Sequence, residues 1–377
     1  MSSAGVDLTD ARYLSTLDLP LYLCHASSNP FLRGGRPVGI FRKCAATLVA
    51  AVAVLAATPA TPVSAAVKFT AFPVPVTGPS GITFGLDGNL WFTDVGGNIG
   101  RMTTAGATTL YELPSQAAGG SPFPVDLTHG PDGNLWFTEY FGGNIGRVTP
   151  SGAITEFPIP TGDWFSGIAP GWDGNVWFGS RTMGLIGRIT PQGDYTGFAI
   201  PPADGTHDPV GATLGPRNSV WVSDESSSVI WQVSGSGDLT PHPLPAPNRG
   251  PAAITVGWDG NLWFCESGET GPAIGRLTPD GTFSEFPISG TPIAITPGLD
   301  GQMWFTEIFG GKVGSISMKG KVREFDVPAP NPVLHGITTG PDGNIWFTDA
   351  GNADVWRLTI THRFGRLPNG QVILKGE

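Results

Sequence analysis

Apolar residues in this chain fall into runs of a few positions, each broken by Gly, Pro, Asp or Asn. The fullest example, Gly130-Pro131-Asp132-Gly133-Asn134-Leu135-Trp136-Phe137-Thr138-Glu139, recurs along the sequence. The tryptophans of the copies are Trp91, Trp136, Trp177, Trp221, Trp263, Trp304 and Trp346, spaced by 45, 41, 44, 42, 41 and 42 residues. Repeats of about 40–50 residues are the period of propeller blades. Each copy reads as four short strands. In the last copy His335-Gly336-Ile337-Thr338 is the inner strand, Asp342-Gly343-Asn344 the turn and Ile345-Trp346-Phe347-Thr348 the second strand. Asp-Gly is a hairpin signal because Gly accepts a positive φ. In the second copy the third strand is 143–148 and the fourth 154–160, whose prolines suit an outer edge where a missing N–H costs nothing.

The ends of the pattern predict how the ring closes. A fourth-strand motif over 69–75 precedes the first Trp unit, and none clearly follows the seventh. Set beside the last three strands, it completes the final blade and removes the open sheet edges. The predicted fold is all-β: a seven-bladed β-propeller of four-stranded blades spanning 66–362, closed by pairing the N-terminal strand with the last blade. The tail 363–377 contains the turn Pro368-Asn369-Gly370 but does not match the repeat. The fourth copy departs most, with Pro216-Arg217-Asn218 for Asp-Gly-Asn, Trp221-Val222 for Trp-Phe, and Trp231 where most other copies have Gly. Breaks in a repeat are candidate functional positions.

Composition supports this picture. Gly (55) and Pro (36) would permit low complexity, but 12 Trp and 21 Phe supply apolar area that is normally buried. Charged residues are 14% of the chain and the net charge is −10, which excludes the basic patches that nucleic acid or an anionic membrane surface requires. Residues 1–65 read as an extension followed by an export signal. Arg33, Arg36, Arg42 and Lys43 precede the apolar run 44–57, which is followed by Val63-Ser64-Ala65. These are the parts of a signal peptide, with cleavage expected after Ala65 and a secreted or periplasmic product. The run is too short for a membrane span of about 20 residues. Of three cysteines, Cys24 and Cys44 precede the cleavage point, which leaves Cys265 alone and no internal disulfide.

Function in a propeller lies in what departs from the repeat. At one inner-strand position the seven copies carry Ser80, Val125, Ser166, Val210, Ala252, Ile293 and His335. Only His335 is titratable near neutral pH, which makes it a candidate general base; the alternative is a solvated histidine at the channel mouth. After Trp-Phe-x the copies carry Asp94, Glu139, Ser180, Asp224, Glu266, Glu307 and Asp349. This is either a carboxylate ring for a cation, or a structural acid that accepts backbone donors or pairs with Arg101, Arg147, Arg188, Arg276 and Arg357 of the third strands. His207, Asp208 and Glu225 form a further cluster in the fourth copy. Among nucleotide-binding and hydrolase motifs, neither a P-loop nor a Gly-x-Ser-x-Gly elbow is present.

Three segments, Gly-Pro-Asp-Gly-Asn-Leu-Trp-Phe-Thr-Glu, Gly-Asn-Ile-Gly-Arg-Val-Thr and Ile-Thr-Glu-Phe-Pro-Ile-Pro, together resemble the virginiamycin B lyase (streptogramin B lyase) family over roughly 69–360. The resemblance implies a seven-bladed propeller that linearises a cyclic depsipeptide antibiotic. It cleaves the ester by elimination, as a carbon–oxygen lyase with a magnesium ion. It assigns the catalytic base to His335, which stands before Gly336-Ile337. It also implies a second histidine where this chain has Ile293, and metal carboxylates where it has Val333 and Ala350, beside Asp349. Asp208 and Glu225 fill the two carboxylate positions in the fourth copy, with Val210 at the histidine position. The implied metal residues are therefore Asp349, Asp208 and Glu225. Two functions stand: a metal-assisted lyase giving antibiotic resistance, or a non-catalytic secreted propeller that binds a peptide, glycan or protein at its channel mouth. A monomer is expected in either case.

Overall fold

A computed structural model describes residues 66–202, 206–269 and 271–361, with two short strands at 364–366 and 372–374. The export segment, its cleavage point and His362 lie outside the described residues. Most of the tail does too, apart from a two-stranded antiparallel pairing of Phe364–Arg366 with Val372–Leu374.

The described residues form seven four-stranded antiparallel sheets, with a single four-residue helix, Pro114–Ala117, in one connection. We number the sheets as blades 1 to 7 and letter their strands a to d from the axis outward. The a strands are Pro79–Phe84, Pro124–His129, Phe165–Pro170, Pro209–Gly215, Pro251–Val256, Pro292–Pro297 and Leu334–Thr339, and each touches the a strand of the next blade around the ring. Blade 7 borrows its outer strand from the start of the chain. Ala66–Pro73 pairs antiparallel with Asp354–Thr361, Ala66 opposite Thr361 and Pro73 opposite Asp354. The predicted closure is present, with the strand beginning three residues earlier than the repeat motif indicated.

The repeat letters have distinct packing jobs. The seven tryptophans are buried, and each packs into the junction with the following blade. Trp136 meets Phe165, Ile168 and Phe178 of blade 3, and Trp346 meets Ile82, Leu90 and Phe92 of blade 1. In the five blades whose strand c carries glycine at this place, the phenylalanine of strand b lies over it. A Cβ on Gly146 would sit 2.0 Å from the Phe137 ring. Blade 4 inverts that pair, with the smaller Val222 opposite the larger Trp231. Its deviation is thus a volume exchange within the core, which conserves packing.

The a–b turn is a three-residue loop. In blade 1 Gly85 N–H donates to the Asn89 carbonyl at 2.7 Å, and Gly88 takes φ +74°. Its aspartate is a hub. Asp87 accepts the Asn89 amide at 3.2 Å, the Trp91 indole N–H at 3.1 Å and the Arg101 Nε–H at 2.7 Å. The third-strand arginines all turn to this aspartate, through the pairs 147–132, 188–173, 276–259 and 357–342, while lying over the blade's tryptophan ring. The expected pairing of these arginines with the acid after Trp-Phe-x is therefore corrected.

Candidate functional site

Because strand a runs away from the d–a connections, residues at its start share one end of the ring with the b–c turns. Every a strand slips register against strand b just after its first residues, for example between Leu334 and Ile337 in blade 7. Such irregularities re-aim side chains. They fall on the positions of Ser80, Val125, Ser166, Val210, Ala252, Ile293 and His335. Hydroxyls from the neighbouring blade pin five of these backbones, with Ser166 donating to the Val210 carbonyl at 3.0 Å and four others following one rule. Thr93 donates to the Val125 carbonyl at 3.0 Å, Ser223 to Ala252 at 2.5 Å, Thr306 to His335 at 2.5 Å and Thr348 to Ser80 at 2.5 Å. In blades 1, 4, 6 and 7 the hydroxyl two positions after the repeat tryptophan is thus an inter-blade lock, a role the sequence reading did not assign.

His335 is partly buried, and no hydrogen bond to its ring is found among the described residues. Burial holds its imidazole below the ordinary histidine pKa, with Asp349 opposing the shift. The lowered pKa favours the uncharged ring, in which one nitrogen keeps a lone pair to accept a proton.

The acids after Trp-Phe-x are all buried, yet they do not converge on one point. Asp349 is saturated by its own surroundings, accepting Val333 N–H at 2.9 Å, Gly351 N–H at 3.0 Å and the Asn352 amide at 2.8 Å. Asp94 likewise takes Gly78 N–H at 2.9 Å and the Asn98 amide at 2.8 Å. Asp224 holds His207 Nδ1 at 2.6 Å and Asp208 N–H at 2.9 Å. In blade 3, where the strand ends in Ser180, Asp163 of the preceding connection supplies the carboxylate and accepts the Ser180 hydroxyl.

Asp208 and Glu225 are brought together, but around an arginine. Arg181 grips both Asp208 oxygens at 2.5 Å and reaches Glu225 at 3.1 Å. Its guanidinium stands where a cation between the two carboxylates would sit. Among the described residues no group of three His, Cys, Asp or Glu side chains could hold a metal ion. With Asp349 saturated and the other pair taken by Arg181, the three nominated carboxylates do not fit a magnesium ion, and no step below is routed through one.

Two features of this end escaped the sequence reading. Arg181 also lies over the Tyr140 ring at 5.7 Å, and Tyr140, Phe141, Phe123 and Trp164 form a contiguous aromatic cluster with centroid spacings of 4.8–6.2 Å. Phe141 and Trp164 remain 52% and 44% exposed, so this cluster offers an open apolar face. Asp126 stands in the strand a irregularity of blade 2, where the other blades have only Gly or Ala. It accepts Leu127 N–H at 2.9 Å and Ile168 N–H at 3.3 Å, and burial raises its pKa to about 6. Both features lie one residue beyond the aligned columns, in the residues after the strand b acid and after the inner-strand position.

The described residues thus form a seven-bladed β-propeller with one histidine, His335, at the start of an inner strand. The sequence profile of the virginiamycin B lyase family matches residues 36–166 and 162–368, and the chain belongs to that family. A solved streptogramin B lyase is 31% identical, with TM-score 0.72, covering 78% of this chain and 98% of its own. Virginiamycin B lyase from Staphylococcus aureus is 32% identical, with TM-score 0.73, over 78% of this chain and all of its own. A catalytically inactive His-to-Ala variant of that enzyme, solved with quinupristin, is equally similar at 32% identity and TM-score 0.72, again over 78% of this chain and 100% of its own. Among proteins with curated descriptions none matches.

Proposed function

We propose that this protein is an exported lyase that opens the ester of a cyclic depsipeptide of the streptogramin B type by elimination, with His335 as the base. The carrying observation is the placement of one imidazole, its ring without a hydrogen-bond partner among the described residues, at the inner-strand positions, where burial lowers its pKa. In this reaction the imidazole takes the proton α to a carbonyl. The C–H electron pair becomes the new carbon–carbon double bond, the β carbon–oxygen bond breaks, and the carboxylate leaves with its electrons. The linear product is an isomer of the ring, whereas hydrolysis would add one water.

The experiment is mass spectrometry of a streptogramin B incubated with the purified protein, with and without added magnesium. An unchanged mass with an opened ring is expected, and His335→Ala should lower the rate at least about 100-fold, the lower end for general-base catalysis. Activity should fall as pH drops through the His335 pKa, below the usual value near 6.5. An inert parent protein, or full activity in His335→Ala, refutes the assignment.

Ile293 and Val333 at the implied second-histidine and carboxylate positions, with the open aromatic face at the same end, favour a second reading: a non-catalytic propeller that holds a peptide, glycan or protein there. Binding of the intact depsipeptide without turnover separates the two. Export rests on the basic, apolar and small-residue pattern ahead of residue 66. The secreted protein should begin at or near Ala66 on amino-terminal sequencing, and a mature form that retains residues 1–40 overturns the processing scheme.

A further inference from the structure

The buried acids at the end of strand b divide by size, and the division is matched two strands away. Where strand b ends in glutamate, in blades 2, 5 and 6, the d-strand residue opposite the c-strand glycine is also glutamate: Glu156, Glu285 and Glu324. Where strand b ends in Asp94, Ser180, Asp224 or Asp349, that place holds Leu110, Gly197, Pro241 or Ala71. The longer inner acid crosses the bare glycine; a Cβ on Gly275 would meet a Glu266 oxygen at 2.8 Å. It thereby reaches the outer acid.

In blade 5 the pair is bridged by a cation, Arg249, at 3.1 Å from Glu266 and 2.6 Å from Glu285. Blades 2 and 6 have no such bridge. Glu139 and Glu307 are fully buried. Oε1 of Glu139 and both oxygens of Glu307 have no donor, and even beside Arg249 Oε1 of Glu266 has none. Glu139 faces Glu156 and the Asn144 amide at 2.8 Å, and no other charged group acts on it appreciably. Glu307 faces Glu324, Lys312 and Asp326, with Lys312 at 3.6 Å from the outer acid Glu324. A buried acceptor facing a half-buried one is unsatisfied until one of the two carries a proton, which makes an O–H···O bond.

The outer acids also hold the connections at the site end. Glu156 accepts Ser115 N–H at 3.0 Å and its hydroxyl at 2.8 Å, from the segment joining blades 1 and 2. Glu324 accepts Ser289 N–H at 2.8 Å, from the segment joining blades 5 and 6.

We propose that Glu139–Glu156 and Glu307–Glu324 are proton-sharing clasps that tie neighbouring blades together at the site end and open when the shared proton is lost. Burial and the facing acid raise the Glu139 and Glu307 pKa values from 4.5 to about 8 and about 7. A folded-state pKa above the unfolded one means the stabilisation is complete below about 4.5 and is lost as pH rises through 7 to 8.

Thermal melts of the mature chain at pH 6 and pH 9, with infrared spectra at pH 7, test this. The parent should melt several degrees lower at pH 9 and show a protonated-carboxyl band at pH 7. Glu139→Gln/Glu307→Gln, which keeps a neutral donor in each place, should match the parent at pH 6, exceed it at pH 9 and lose most of that band. A parent equally stable at both pH values, or one lacking the band, overturns the proposal, and the infrared arm decides even if the double variant does not fold.

Discussion

The turn carboxylate accounts for most of the letters that make the repeat recognisable. Asp342 accepts the Asn344 amide at 3.2 Å and the Trp346 indole at 2.9 Å and lies 3.9 Å from Arg357, so Asp, Asn, Trp and Arg are one network. Asp342→Ala leaves a buried indole N–H without an acceptor, which costs about 1–3 kcal/mol. Urea titration should show that loss with an unchanged m value, and a loss within about 0.5 kcal/mol, ordinary for surface substitutions, would deny the hub its role. The sequence revealed the turn but sent the arginine to the wrong acid. Strand alternation settles the matter: Arg357 pairs with Trp346, and Asp349 is three residues on, facing the opposite side of the sheet. His335 was legible because it is one titratable letter in an aligned column. Arg181 was not, because its partners Asp208 and Glu225 lie 27 and 44 residues away, in the next blade.

At the scale of elements, strand identity was readable from the spacing of apolar runs, and the closure followed from counting fourth strands. The irregularity at the head of each a strand is marked by Gly or Ala in every blade but the second, where the neighbouring a strand approaches closely, a signal the sequence reading did not use. The closing strand carries its own test. Removing residues 66–73 exposes the backbone of Asp354–Thr361 as an edge and strips Phe69 and Phe72 from Phe347, Trp356 and Trp346. The shortened protein should aggregate or lose cooperative unfolding. If it stays soluble and melts within a few degrees of the parent, that strand does not hold the ring shut.

As a whole the molecule has a circle of seven small cores, one in each junction between blades. No junction is dispensable, and the two ends of the ring are free to differ. One carries His335, Arg181 and the aromatic cluster. The other carries the a–b turns, with Leu86, Trp172, Trp258 and Leu299 exposed. The join in blade 7 gives this circle a mechanical seam. Ala66 and Thr361 lie side by side at the same end of an antiparallel pair. A pull that separates these two residues loads the hydrogen bonds between their strands one at a time, like a zipper, rather than all together in shear. The closed ring is therefore weakest to force at the place where its two end strands meet.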